Sequence, residues 1–448
     1  MNFKPIRKLS VNRKLTNGQT VFAGTLAQNH TAVYFQYDQI YLDRYGNLSP
    51  FLLKGDTSLQ VAPKLPHFGL HGVYADSLPD DWGLSLQDRF FRQCGILPTQ
   101  VTAMDRLAFV GEHAIGALSF LPQSQYQPNQ LDTYNLATLG LSAQSLFDSQ
   151  FSRNLASEND LVDILGMLVN VGTSGGARPK AQIYLRPEDL EHSIPKMRST
   201  QNRVYRVIPQ KDDEAWIIKF TSQNLPLGHE EGLCEGVYLQ LADIAKCRPQ
   251  TWSLIEAPEK SGALAWLAVK RFDCTNQNNG RFHLHSACGL LDADYRSPSL
   301  DYEDLIKLSR QLCQSVEAGK LQFRRAMFNL FASNQDDHSK NWSFLQDDNG
   351  NWHVAPFFDV TFSPHPFNQH ATAFCGYGNT PSLKSIQQLA AVAGIESWND
   401  ARMIITEVVE VLSDFAKVAK SLDVKANTIR LIQNILDIRR RENIALLK

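Results

Sequence analysis

The chain has 448 residues, 43% hydrophobic and 20% charged, with a formal net charge of −2 at pH 7. That length exceeds one ordinary hydrophobic core and implies roughly two to four units of a globular, soluble protein. The balanced charge excludes a surface that is basic throughout, so any nucleic-acid contact has to come from a local patch or from a partner.

The N-terminus carries Lys4, Arg7 and Lys8 but no apolar segment follows, so no signal peptide is expected. No apolar run reaches the roughly eighteen residues of a membrane span. The seven cysteines are dispersed and none forms a C-x-x-C pair. That usage points to reduced thiols and a cytoplasmic location.

Residues 1–60 read as short strands. Leu9-Ser10-Val11, Val21-Phe22-Ala23 and Ala32-Val33-Tyr34-Phe35 are β-rich and are broken by Asn17-Gly18, Asn29 and Gly46-Asn47. Ser77-Leu78-Pro79-Asp80-Asp81 offers an N-cap and an acidic first turn to a helix through Phe91. Leu107–Gly111 and Ile115–Phe120 predict a turn and a closing strand. Pro122–Gln150 is rich in Gln, Pro and Ser and reads as a linker with room for helical pieces.

A second unit starts near residue 158. Leu161–Val171 is apolar on a helical period. Gly172-Thr173-Ser174-Gly175-Gly176-Ala177-Arg178-Pro179-Lys180 follows, then a strand, Ala181–Leu185. Adjacent glycines with flanking hydroxyls and cations can form a backbone nest for phosphates. The Walker ending G-K-[ST] is absent, and a purely structural turn fits the same residues. Trp216–Phe220 is a buried-strand pattern with one lysine, Lys219. In an ATP-binding lobe such a lysine steadies phosphates and pairs with a helix glutamate; on an edge strand it would simply reach solvent. Glu230, Glu231 and Glu235 head the next helix and any of them can be that partner; Glu231 is carried forward as the candidate. Leu264–Asp273 is a strand ending in polar residues, where an interlobe hinge would meet adenine.

Beyond Asn276–Gly280 the chain reads as mostly helical, with apolar periodicity over Asp301–Val316, Leu321–Ala332, Ser382–Ala393 and Ala401–Lys420. Between the second and third of these lies the chemically densest stretch, Asn334-Gln335-Asp336-Asp337-His338-Ser339-Lys340-Asn341. Asn349-Gly350, flanked by aromatic and β-branched residues, predicts a type I′ hairpin. That hairpin would bring Asp359 back beside Asn341, eighteen positions earlier. One carboxylate to accept a hydroxyl proton, and an Asn with an Asp to hold Mg²⁺, is what phosphoryl transfer asks of a protein. Asp336 and Asn341 stand five residues apart, as base and amide do in protein kinases. The Arg before the base and the Gly after the second Asp are missing, with Gln335 and Val360 in their places. A metal-hydrolase reading of Asp337-His338 lacks a second histidine pair, and a calcium loop at Asp347–Asn351 lacks its closing Glu. Thr361–Thr380 lies where a mobile activation segment would follow. Lys417, Lys420, Lys425, Arg430 and Arg439-Arg440-Arg441 give the C-terminus a basic bias. This is either a solvated helix face or a contact to a nucleic-acid backbone.

These residues resemble the HipA serine/threonine-protein kinase toxins of bacterial toxin–antitoxin systems. The Gly172–Lys180 turn, Ile217-Ile218-Lys219-Phe220, Val269–Asp273, the Asp336–Asn341 loop with Asp359, and Ser77–Gly83 carry the likeness over nearly the whole chain. The resemblance implies an α+β, bilobal protein-kinase-like fold. A β-rich N-terminal subdomain would span 1–125, a kinase N-lobe 126–274 and a helical C-lobe 275–448. Asp336 would be the proton acceptor, and Asn341 and Asp359 the Mg²⁺ ligands. Gly175, Gly176, Ala177, Arg178, Pro179, Lys180, Lys219, Lys270, Arg271, Phe272, His338, Phe358, Asp359, Val360 and Thr361 would line the ATP site. Inhibitory autophosphorylation would fall on Ser174 or Thr173. The family further implies an aminoacyl-tRNA synthetase as protein substrate and a HipB-like helix-turn-helix antitoxin as partner. Operator DNA would be bound mainly through that antitoxin. Two alternatives stand beside it: a kinase-like co-repressor acting with the antitoxin on DNA, and a small-molecule kinase.

Overall fold

Alternating apolar residues in the first sixty positions fold into a five-stranded antiparallel sheet. Its strands are β1 (Lys8–Lys14), β2 (Thr20–Gln28), β3 (Val33–Tyr37), β4 (Gln60–Val61) and β5 (Leu118–Leu121), in the order β4-β3-β2-β1-β5. The computed structural model describes residues 3–128, 133–149, 165, 168, 178–186, 204–210, 212–275, 279–297 and 299–448. Leu9 and Val11 of β1, Leu26 of β2 and Phe35 of β3 are fully buried. They pack with Tyr74, Met104 and Leu107 into one core.

A second sheet has six strands in the order β10-β11-β9-β7-β8-β6. These are β6 (Thr133–Asn135), β7 (Lys180–Leu185), β8 (Val204–Arg206), β9 (Glu214–Lys219), β10 (Trp252–Glu256) and β11 (Ala265–Lys270). Lys219 therefore lies on an interior strand, paired on both sides, and is not an edge-strand lysine. The expected linker is instead β6 followed by a helix, Leu136–Asp148, capped by Asn135. Leu136, Leu139, Ala143 and Leu146 are buried against the sheet, and Gln144 Nε2 donates to the Ser261 carbonyl at 3.1 Å. Gly140 allows the closest approach, since a Cβ there would stand 2.1 Å from Trp266 Cη2. Leu165 and Leu168 are helical, but most of the predicted Leu161–Val171 helix lies outside the described residues.

The C-terminal half is mainly helical. Helices Tyr302–Cys313, Val316–Ala332, Leu383–Val392 and Trp398–Ser413 each receive a side-chain cap, from Asp301, Ser315, Ser382 and Ser397 respectively. Such caps contribute about 1 kcal/mol each. Within this mostly helical half a third sheet forms, in which β12 (His283–Ser286) is added to the expected hairpin: β12, β13 (Ser343–Gln346) and β14 (Trp352–Val354) pair antiparallel in that order. The β13–β14 hairpin forms, but not through a type I′ turn. Gly350 takes φ 84 while Asn349 stays out of the left-handed region. Asp347 accepts from the amides of Asn349 and Asn351, both at 2.9 Å. That carboxylate favours right-handed backbone ahead of a left-handed glycine, the three-residue loop with a bulge.

The N-terminal sheet docks on this third sheet. Arg13, wholly buried, donates to Tyr41 Oη (3.0 Å), Gln346 Oε1 (2.9 Å) and the Asp347 carbonyl (2.7 Å). Asp76 receives His285 Nδ1 at 2.6 Å and the Ser286 amide at 2.7 Å. The polar alternation of His283-Leu284-His285-Ser286 belongs to this interface.

Candidate active site

Lys180 on β7 and Lys219 on β9 are direct cross-strand partners. Like charges opposite each other repel, so the pair needs anions close by. Lys219 Nζ finds two of them, Glu235 Oε1 at 2.5 Å and Asp359 Oδ1. Burial would lower the Lys219 pKa, but Asp359 and then Glu235 raise it above the usual lysine value. Lys180 is 5% exposed, and burial brings its pKa down to about 8. Asp359 is held well below the ordinary aspartate range: burial opposes the shift, and Lys219, Lys180 and Arg178 overcome it.

The helix partner of Lys219 is Glu235, and the choice of Glu231 is corrected. Both lie on one face of helix Glu231–Ile244, four residues apart. Glu231 sits in the first turn, where it binds Arg178 Nη2 (3.0 Å) and the Leu227 amide (3.0 Å). One turn later, Glu235 reaches the lysine and also meets Arg178 Nη1 at 3.3 Å. Glu230 is taken up by the C-terminal helix, accepting from the Lys425 amide (2.8 Å) and Thr428 Oγ1.

The loop after helix Val316–Ala332 is held from below by Asp337. Its carboxylate accepts from Tyr302 Oη, His370 Nδ1 (2.8 Å) and the Thr372 amide (3.3 Å). That leaves Asp336 facing out, its side chain 71% accessible. Asn341 Nδ2 donates to the Asp336 carbonyl at 2.9 Å, tying amide and base into one turn. Although the Asp336 side chain stays accessible, the protein around it partly desolvates the carboxyl and raises its pKa. His338 and Arg178 oppose that rise, and Asp359 adds to it. His338 Nε2 stands 3.8 Å from Asp336 Oδ1, and its ring packs on Tyr295.

Asp359 takes φ 51, a left-handed conformation uncommon for a residue with a Cβ. Backbone of this kind is kept where the surroundings over-determine it. Arg325 supplies part of that support: buried, it donates to the carbonyls of Cys247 (2.9 Å), Ala355 (3.1 Å) and Arg248 (3.2 Å). Burial lowers its pKa to about 9.

The segment after Asp359 is hydrogen-bonded to the loop. Gln335, where protein kinases carry Arg, accepts from the His365 amide (2.7 Å) and donates to Asn368 Oδ1 (2.8 Å). The Asp336 amide donates to Ser363 Oγ at 3.2 Å. A neutral amide does here what an arginine does only for a charged partner.

At the hinge, the rings of Phe272 and Phe358 lie 5.4 Å apart, tilted by 38°, presenting an apolar wall fit for a planar base. Lys270 pairs with Glu214. Arg271 differs from the sequence expectation: its guanidinium is buried and spent on Asp273, Gln182 Oε1 (2.5 Å) and the Ala114 carbonyl (3.1 Å). It braces the N-terminal unit, and only its backbone belongs to the hinge. Val360 is fully buried. Thr173, Ser174, Gly175, Gly176 and Ala177 lie outside the described residues.

The donor set fits a magnesium nucleotide. Mg²⁺ needs only one or two protein oxygens, with water and phosphate completing its shell; Asp359 and Asn341 are of that kind. Lys180, Lys219 and Arg178 supply charge for phosphates. Buried His338 Nδ1 and Thr361 Oγ1 have no hydrogen-bond partner among the described residues, as expected of groups that meet a ligand. Sequence reasoning missed Gln335 as a clamp, Arg325 and the link from Lys340 to Asp80; nothing in local spacing marks contacts made so far along the chain.

Among the described residues no helix is long and apolar enough to cross a membrane. A family model described as HipA-like C-terminal domain matches residues 172–415, and one described as HipA N-terminal domain matches residues 17–121. Among solved structures the chain is similar to HipA of Shewanella oneidensis MR-1, solved in complex with HipB and its operator DNA. The identity is 15%, the TM-score 0.65, and 97% of this chain and 98% of that chain are covered. It is also similar to the proinflammatory kinase CtkA of Helicobacter pylori, at 13% identity and TM-score 0.33, covering 52% of this chain and 89% of that one. A comparison with curated proteins finds no match.

Proposed function

The chain belongs to the HipA family, and on that premise we propose that it is an ATP- and Mg²⁺-dependent serine/threonine-protein kinase, the toxin of a toxin–antitoxin pair. The observation that carries this reading is Lys219, which joins Glu235 to Asp359 while the neighbouring loop presents Asp336 and Asn341. Asp336 takes the proton of a substrate hydroxyl as its oxygen bonds to the γ-phosphorus and the bond to the β–γ bridging oxygen breaks. Lys219, Lys180 and Arg178 hold the phosphates, Glu235 fixes the lysine, and the Phe272–Phe358 wall receives adenine. Asp359 and Asn341 would hold Mg²⁺, which would supply charge neutralisation at the phosphates.

The protein substrate is an aminoacyl-tRNA synthetase, whose phosphorylation stalls translation, and self-phosphorylation at Ser174 or Thr173 switches the kinase off. The partner is a HipB-like helix-turn-helix antitoxin, through which operator DNA is bound; the Shewanella HipA complex with HipB and operator DNA supports that partnership. Of the three C-terminal arginines, Arg439 is buried against Ser333 and Glu442. Only Arg440 and Arg441 remain to reach a partner.

The test is incubation of the purified chain and γ-³²P-ATP with a bacterial lysate. A labelled protein band of synthetase size, lost with Asp336→Asn, is expected. Label confined to small molecules would replace this reading with a small-molecule kinase.

A further inference from the structure

Asp80 occupies the N-cap of helix Asp81–Gln93 in extended backbone, φ −93 and ψ −173, yet its carboxylate caps nothing. An N-cap aspartate ordinarily satisfies a helix amide, a gain of about 1 kcal/mol. Here Oδ1 accepts from Lys340 Nζ, 260 positions further on. The two side chains are 16% and 17% exposed. The lysine ammonium also lies over the Tyr295 ring, 4.6 Å from its centroid.

Lys340 is the residue before Asn341, inside the single turn Ser339–Asn341. The Asn341 amide donates to the His338 carbonyl at 2.9 Å, and its side chain holds the Asp336 carbonyl. Where Lys340 is fixed, the turn joining base and amide is fixed. The same N-terminal unit grips the far shoulder of the hairpin: Arg13 binds Gln346 and Asp347, and the Thr16 amide donates to Asp348 Oδ2 at 3.0 Å. The start of the hairpin that separates Asn341 from Asp359, and its turn, are therefore held by one external body. A largely enclosed ion pair is weak evidence for stability and better suited to setting position.

We propose that Asp80, acting through Lys340, is a positioning residue for phosphoryl transfer, and that the N-terminal unit is a working part of the site. The proposal rests on the kinase reading above. The hairpin and its loop form one strip of chain. Without the brace on Lys340 that strip is free to tilt, and Asn341 moves relative to Asp359.

The experiment uses the full-length chain and γ-³²P-ATP, with label incorporated into the chain itself and into lysate proteins as the readout. Asp80→Asn and Lys340→Met are each expected to lower the maximal rate about tenfold or more, with KM for ATP changed less than about threefold. Asp80→Glu restores most of the rate, which loss of packing alone would not explain. Melting temperature is recorded for every variant. Wild-type rates in both single variants overturn the proposal, as does an Asp80→Glu variant no faster than Asp80→Asn. A rate loss that only follows melting temperature overturns it too. A wild-type chain that transfers no label overturns the kinase reading, and this proposal with it. A wild-type chain that labels while Asp80→Asn labels equally overturns this proposal alone.

Discussion

Removing the Glu235 carboxylate separates the two glutamates that share a helix face. The side chain is 1% exposed, 2.5 Å from Lys219 Nζ and 3.3 Å from Arg178 Nη1. Truncating one member of a buried ion pair costs about 3–5 kcal/mol, because a charge is left without compensation. Each cation here keeps a second partner, Asp359 for Lys219 and Glu231 for Arg178. The lower end, about 3 kcal/mol, is therefore the expected loss for Glu235→Ala. At about 2–4 °C per kcal/mol this lowers the melting temperature by about 6–12 °C. Lys219 then rests wholly on Asp359 and competes with the metal for that carboxylate. A loss of about 2.7 kcal/mol at the transition state, or about a hundredfold in rate, follows. Glu231→Ala leaves both Lys219 contacts intact and should therefore lower the rate less than Glu235→Ala does, although its burial makes a comparable loss of stability expected. Radiolabel transfer and scanning fluorimetry on the two variants decide the matter. An equal rate loss from Glu231→Ala, or full activity in Glu235→Ala, would refute the assignment of the lysine partner.

Four further outcomes follow from the same geometry. Asp336→Asn removes the proton acceptor and should lower the rate by about a hundredfold or more. In the intact chain the base must be ionised, so its raised pKa makes kcat/KM fall on acidification at a higher pH than an ordinary aspartate of about 3.9 would, as a pH–rate profile will show. Burial lowers the His71 pKa to about 4 in the folded chain. The unfolded chain takes up that proton near pH 6.5, so stability is intact above that value and about 3 kcal/mol is lost as pH falls toward 4. Urea midpoints measured across that window should slope less in His71→Phe. Gly140→Ala drives a methyl onto the fully buried Trp266. Overpacking of this kind costs about 1–3 kcal/mol, and an unchanged melting temperature would contradict the packing described.

Much of the site could be read from residue order because its parts are short-range. The Asp336–Asn341 spacing is a loop property, and Asn349-Gly350 announces a reversal whatever its turn type. Lys219 stood out as a lone cation in an apolar strand. The helix partner could not be singled out, because Glu231 and Glu235 share a face and only the reach of Lys219 across the sheet separates them. The Leu136–Asp148 helix hid behind the Gln, Pro and Ser content of the stretch around it. β12 was missed because its histidines serve an interface with Leu48 and Asp76, more than two hundred residues away. Arg271 misled because a cation at a hinge suggests a ligand, whereas this one binds Asp273 and the Ala114 carbonyl. The contacts of the segment after Asp359 run in part through Gln335, a residue notable in sequence only as a missing arginine.

In the kinase reading Asn341 and Asp359, eighteen residues apart, hold one metal ion beside Asp336. Anomalous scattering from Mn²⁺ in crystals grown with a non-hydrolysable ATP analogue tests it most directly. The expected result is a peak bonded to the Asn341 and Asp359 side-chain oxygens and to the nucleotide phosphates. A nucleotide-bound metal that touches neither residue would contradict it.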